Sequence, residues 1–183
     1  MILGFFRRGD ARRRAIESLH RRVNEAARAR GLYLALGVPD TVEGRFEALC
    51  LHVILVLRRL KQLPAPAADV GQDLVDSVFA QLDASLRELG VGDVSVPKRM
   101  KKLGAAFYGR ANSYDAGLDA GDAQALATSL ARNVLGSEQA AAAAGLARYV
   151  AAAAAALAGD DLDALLGRGP RFPAPEAFGG DAP

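Results

Sequence analysis

Residues 46–60 read FEALCLHVILVLRRL, a run in which apolar side chains fall on nearly every face of a 3.6-residue period. A helix without a polar face has to be surrounded by other elements. The run is also shorter than the roughly 18–20 residues that cross a bilayer, so its surroundings must come from the rest of the chain. Residues 46–60 are therefore the expected buried centre, with the other helices as its neighbours. Asp40 or Thr41 can cap the start of this helix. It is expected to run to Lys61, where Arg58, Arg59 and Lys61 suit the negative end of the helix dipole.

The neighbours follow from the same period. Residues 10–30 predict a helix with Asp10 at its N-cap, Ile16, Leu19, Val23 and Ala26 or Ala27 at helical spacing, and Gly31 as its stop; LYLALGVPD follows as a connection. After the loop PAPAAD, residues 72–89 place Leu74, Val75, Val78, Phe79, Leu82, Leu86 and Leu89 on one stripe, and Gly90 supplies the left-handed residue such a helix ends on. A short VGDVSV crossing leads to Pro97, which suits a first helical turn, and Met100, Leu103 and Phe107 form the inner face of a fourth helix. Residues 111–121 read as a loop or broken turn. Asp122 can cap a helix to Leu135, with Leu126, Leu130 and Val134 on one face. Past Gly136, an Ala-rich helix is expected from about Ser137 to about Gly159. Residues 160–166 add a short terminal turn, and the Pro/Gly-rich chain from Gly167 onward reads as an arm or a frayed tail. The pattern holds no β-alternation, repeat or second core. The expected fold class is all-α, a single-domain bundle of about six helices around residues 46–60. Residues 1–9 form a short apolar N-terminal segment, 10–166 the helical domain and 167–183 the tail.

A length of 183 residues suits one domain, and a composition rich in Ala, Leu and Arg without tryptophan favours helices. The net charge of +2 conceals a gradient: +6 over residues 1–31, +1 over 32–110 and −5 over 111–183. A positive start and a negative end point to an oriented interaction surface. Cys50 stands alone, so no intramolecular disulfide is possible and a reducing compartment fits. The opening MILGFFRRGDARRR puts its arginines after an apolar run too short for a secretory signal. With no apolar run reaching spanning length, a soluble or peripheral chain is expected.

Signs of catalysis are sparse. His20 lies in an Arg-rich helix and reads as solvated. His52 stands two residues from Cys50 on the buried helix, but positions i and i+2 diverge, so it reads as a hydrogen-bonded core histidine. Asp73 and Asp76, and Asp160, Asp161 and Asp163, fall where helices begin and complement their dipoles. GVGD at 90–93 matches no phosphate-binding fingerprint, and no serine or cysteine pairs with a base. The chain is expected not to be an enzyme, with no catalytic residue, cofactor or metal.

The basic elements carry more information. Lys98, Arg99, Lys101 and Lys102 crowd the N-terminal end of a helix, where the dipole disfavours cations. An acidic partner, a phosphate surface or an internal carboxylate cluster would offset that choice. Arg7 and Arg8, then Arg12, Arg13, Arg14, Arg21 and Arg22 of the first helix, follow ILGFF, a combination suited to an anionic membrane or a ribosome surface.

RFEALCLHVILVLRRLK (45–61) and FAQLDASLRELGVGDVSVPKRMKKLGAAFYGR (79–110), followed by SYDAGL (113–118) and LARNVLG (130–136), together resemble the ubiquinol–cytochrome c chaperone family over roughly residues 10–150. The specific part is LRELGVGD…KKL…FYGR. The chain departs from the family at Gln81-Leu82-Asp83, where members often carry an acidic, Met-bearing segment. The resemblance implies a helical, non-enzymatic assembly factor of the bc1 complex that binds newly made cytochrome b or its nascent chain, alongside a second assembly factor in some members. Without a mitochondrial presequence or anchoring helix, the chain looks like the shorter bacterial form, cytoplasmic and peripheral at the inner face of the inner membrane. The partner-binding surface is then expected at the 86–110 corner: Arg87, Glu88 and Asp93 as its charged frame, paired among themselves or with Lys98 or Arg110, and Lys98, Arg99, Lys101, Lys102, Tyr108 and Arg110 as what it presents. The rival reading is a ribosome- or RNA-surface binder using the same cations. The low net charge and few aromatics weigh against direct nucleic-acid binding.

Overall fold

Thr41 Oγ1 accepts the Gly44 amide at 3.1 Å, which decides the cap of the central helix in favour of Thr41; Asp40 instead takes Arg45 Nε at 2.7 Å. The computed structural model describes residues 2–180, with side chains from Gly9 onward. The central helix α3 (Val42–Lys61) buries Ala48, Cys50, Leu51, His52, Val53, Ile54, Leu55, Val56 and Leu60. The other helices are α1 (Ile2–Ala27), α2 (Arg30–Leu34), α4 (Ala67–Glu88), α5 (Val96–Ala120), α6 (Ala123–Leu130), α7 (Ala144–Ala158) and α8 (Leu162–Gly167), of which α1, α4, α5 and α7 pack on α3. There is no strand among the described residues. The fold is all-α, as the periodicity predicts.

Several boundaries differ from the sequence reading, each for a tertiary reason. The first helix begins at Ile2, so Asp10 lies within it and is not its N-cap; it ends at Ala27. Gly31, the expected stop, sits inside α2, where Leu32 is buried and a Cβ on Gly31 would meet the Glu176 side chain at 2.4 Å. Helix α4 starts at Ala67 because Ala67 and Val70 are themselves core residues, which leaves Asp73 and Asp76 inside the helix. There Asp73 takes Arg12 Nε at 2.6 Å and Asp76 takes Gln72 at 2.8 Å. Residues 111–120, expected as a loop, continue α5 as helix. Burial of Ala111, Tyr114 and Gly117, with Arg58 bonding Asp115 at 3.2 Å, outweighs their weak helix propensity.

Asp122 caps α6 as expected, accepting the Ala125 amide at 2.9 Å. The helix then widens into a π-helical turn over Ala131–Leu135 that Gly136 ends at φ 63°. The Ala-rich helix starts later than expected, after Ser137 Oγ has taken the Gln139 amide and a 3-10 turn has covered Ala140–Ala143. Residues 140–158 have a mean hydropathy of 1.5, so this stretch, contrary to the sequence reading, is long and apolar enough to cross a membrane. In the fold it is a core helix, with Leu146, Tyr149, Val150, Ala153 and Leu157 buried between α3 and α6.

Both histidines are internal. His20, expected in solvent, is buried with Nδ1 2.8 Å from Ser77 Oγ, joining α1 to α4. His52 is fully buried as the sequence reading expected: Nδ1 donates to the Ala48 carbonyl at 2.7 Å and Nε2 accepts the Tyr149 hydroxyl at 2.7 Å. Over this pair runs the C-terminal segment. Phe172 meets the His52 ring edge-on at 4.7 Å, and Phe178 does the same to Tyr149 at 5.8 Å. The segment is anchored at its root, where buried Asp160 takes both Arg168 and Arg171 on Oδ1 and its carbonyl accepts Arg59 Nε at 2.7 Å. Residues 169–180 are thus an arm docked on the core, not a frayed end.

Burial holds the His52 imidazole neutral down to about pH 4. The unfolded chain takes up that proton below about pH 6.5, so this stabilisation is complete above pH 6.5 and is lost towards pH 4, by about 3 kcal/mol. Urea unfolding of wild type against His52→Gln at pH 7.5 and pH 5 should show a clearly smaller acid loss in the variant. Equal losses would mean that His52 is not the titrating group.

Candidate partner-binding site

Helix α4 ends in a complete Schellman arrangement. Gly90 at φ 78° lets its own amide reach the Arg87 carbonyl and the Val91 amide reach that of Leu86, both at 3.0 Å. Gly92 then accepts the amides of Ser95 and Val96 at 2.8 and 3.2 Å, and Pro97 enters the first turn of α5. The corner is closed by these four bonds, while the amides of Gly92, Asp93 and Val94 have none among the described residues.

Between Val78 on α4 and Phe107 on α5, Val96 is the one fully buried residue. The two half-helices meet as a hairpin on which Phe79, Leu82, Leu86, Met100 and Leu103 are half-buried, Phe79 and Leu82 against the core. Its root is fixed by an edge-on Phe79–Phe107 contact with ring centroids 5.7 Å apart. Three of the exposed large apolar residues fall on it: Val94 at 94 % exposure, Leu89 at 71 % and Tyr108 at 54 %. Leu89 thus leaves the buried stripe that sequence spacing assigned to it. Neither Leu89 nor Val94 was visible as a surface residue from sequence. The available signal was that the α4 stripe runs longer than the core can cover.

The charged residues divide into two groups. Arg87 is held by Asp83 at 2.7 Å and by Asp93, so the expected Arg87–Asp93 clip forms, with Asp83 as an added partner. Glu88 is exposed beside it. Lys98, Arg99, Lys101 and Lys102 are all exposed and form no ion pair among the described residues. Lys98, Lys101 and Lys102, spaced i, i+3, i+4, share one face of α5.

Arg110 does not join them. It turns inward to Glu47 at 2.6 Å, and both side chains are largely buried. Burial outweighs the guanidinium and holds the Glu47 carboxyl above its ordinary range. The same burial pushes the nearby Tyr114 hydroxyl up. Arg110 is a structural anchor of α5, which corrects its expected place on the partner surface.

The arginines of α1 are also largely engaged within the fold. Arg12 pairs with Asp73 at 2.6 Å, Arg13 with Glu17 at 3.5 Å and Arg21 with Glu25 at 2.8 Å. Arg22 lies across Gly169, where a Cβ would meet its Cδ at 2.5 Å. Arg14 is exposed. The side chains of Arg7 and Arg8 lie outside the described residues.

A family model described as ubiquinol-cytochrome C chaperone matches residues 34–172 of the chain. No curated protein sequence matches it. Among solved structures, the crystal structure of the Cbp3 homolog from Brucella abortus is 40% identical, covering 96% of this chain and 98% of that one at a TM-score of 0.85.

The inward Arg110 separates anchoring from binding. Arg110→Met should cost about 3 kcal/mol, because it strands a buried carboxylate, and Glu47→Leu/Arg110→Met should recover most of that loss. Urea midpoints measure both. A fully stable Arg110→Met protein would return Arg110 to the partner surface.

Proposed function

The chain belongs to the ubiquinol–cytochrome c chaperone family, and from that premise we propose that it is a non-enzymatic assembly factor of the ubiquinol–cytochrome c reductase (bc1) complex whose client is cytochrome b or its nascent chain. One observation carries the placement of the client surface. The segment most specific to the family resemblance, residues 86–110, is also the hairpin whose outer part, residues 87–102, carries unpaired cations and uncovered apolar side chains. A segment kept for folding alone would be buried or charge-balanced; this one is neither.

The capture surface comprises Lys98, Arg99, Lys101, Lys102 and Tyr108, on a corner whose shape is kept by the Arg87–Asp93 clip. Tyr108 stacks edge-on against Phe107 at 5.5 Å and keeps its outer face free. Such an apolar patch beside cations suits a membrane-protein segment with its flanking polar residues before assembly. We place the protein in the cytoplasm, peripheral to the inner face of the inner membrane, where such a client emerges.

An affinity-tagged copy recovered from detergent-solubilised membranes should bring down cytochrome b. Recovery should fall roughly tenfold for Lys98→Glu/Lys101→Glu/Lys102→Glu, with circular dichroism and melting unchanged. Undiminished recovery by the folded triple variant would take the client off this hairpin. Ribosomes or RNA recovered in place of cytochrome b would favour the rival reading of the same cations.

A further inference from the structure

We propose that the tip of the α4–α5 hairpin docks on an anionic bilayer surface, with Leu89 and Val94 entering the headgroup region and Lys98, Arg99, Lys101 and Lys102 lying against lipid phosphates. From the proposed function this takes only that the hairpin is the working end; it does not depend on which client is held.

Four observations converge on a lipid surface. The two most exposed apolar side chains of the hairpin, Val94 and Leu89, sit in its turn, between the end of α4 and the start of α5. Projecting knobs of this kind suit a fluid interface that closes around them, whereas a protein partner would have to supply a matching cavity. The backbone of the corner limits the depth of entry. The amides of Gly90, Val91, Ser95 and Val96 are bonded within the corner, and those of Gly92, Asp93 and Val94 have no bond among the described residues, which sets the contact at headgroup depth, where phosphates and water accept them.

The cations are of the appropriate kind. Three of the four are lysines, whose compact charge on a flexible stem suits a laterally mobile array of phosphates. They stand at the positive end of the α5 dipole, where the fold itself disfavours them and a phosphate layer offsets the repulsion. Finally, the nearby acids do not cancel the attraction. Asp83 and Asp93 both pair with the single Arg87, Glu88 and Asp93 stay exposed, and residues 83–102 keep a net charge of +2. Each cation brought to an anionic surface raises partitioning about fivefold, and salt should reverse the gain.

The test uses the purified full chain and vesicles, with no client present. The protein should float at low salt with vesicles of phosphatidylcholine mixed with phosphatidylglycerol, and not with phosphatidylcholine alone. Val94→Asp, at a fully accessible position, should lower flotation tenfold or more without changing the melting temperature, as should Lys98→Gln/Lys101→Gln/Lys102→Gln. The chain has no tryptophan, so the indole of Val94→Trp is the sole one; its emission should shift to the blue on mixed vesicles and be quenched by brominated lipid.

An unshifted indole overturns the proposal. So does flotation that survives both hairpin variants and is lost on Arg12→Gln/Arg13→Gln/Arg14→Gln, which would move the contact to α1. Recovery of cytochrome b from detergent separates the two readings. A Val94→Asp protein that still recovers the client but no longer floats supports a lipid role distinct from client capture. Vesicle binding by a wild-type protein that recovers no cytochrome b would sink the client and leave the lipid surface standing.

Discussion

A helix that is apolar on all sides can exist only inside something, and α3 is that helix. Its surroundings dictate the rest of the chain: α1 and α4 cover one side, α7 and the π-helical turn after α6 another, and the docked C-terminal arm closes over His52. The polar atoms that α3 carries into this interior then fix where its neighbours attach. His52 requires partners for both ring nitrogens and finds them in the Ala48 carbonyl and Tyr149, which positions α7 and, through Phe172, the arm. Glu47 requires a cation, and Arg110 supplies it from α5. A buried carboxylate left alone costs far more than a paired one, so this ion pair marks the place where α5 is tied to the core.

N-terminal to Phe107 on α5, and beyond Leu82 on α4, the helices leave the core that surrounds α3. The apolar stripe of α4 shows the transition residue by residue. Leu74 and Val78 are buried, Leu82 and Leu86 half-buried, and Leu89 open to solvent. The stripe keeps its helical spacing while the core beneath it ends. The hairpin is therefore a continuation of core-type sequence into a region where only its twin half-helix is available to pack against, which leaves apolar surface uncovered by construction.

The same contrast explains what could be read from the sequence. The class of fold, the central helix, the Asp122 cap, the Gly90 and Gly136 stops and the internal role of His52 all rest on local patterns: period, cap chemistry, left-handed glycine. What escaped depends on distant partners. Residues 111–120 have poor helix propensity, and only Arg58, on a helix some sixty residues away in sequence, and the burial of Tyr114 make them helical. Gly31 looks like a stop until Glu176 packs on it from the far end of the chain. His20 looks solvated in an Arg-rich stretch because the Ser77 that binds it lies on another helix. On the hairpin, the cations and the Arg87–Asp93 clip were legible. The inward turn of Arg110 was not, since nothing local distinguishes it from Tyr108 two residues earlier.

Two groups of cations that look alike in sequence also end in different roles. Most described arginines of α1 meet an acid or a packing surface: Arg12 finds Asp73, Arg13 Glu17, Arg21 Glu25, and Arg22 the backbone of Gly169. Those contacts give them a reason to be there that lies within the fold. The cluster at the start of α5 has none. It stands at the wrong end of its helix dipole, and the neighbouring Asp83 and Asp93 are engaged by Arg87. Replacing these four cations with neutral residues would relieve repulsion and disturb no contact within the described fold. These cations share their tip with the uncovered Val94 and Leu89, so the fold leaves positive charge and apolar surface side by side there, with no internal contact that accounts for either.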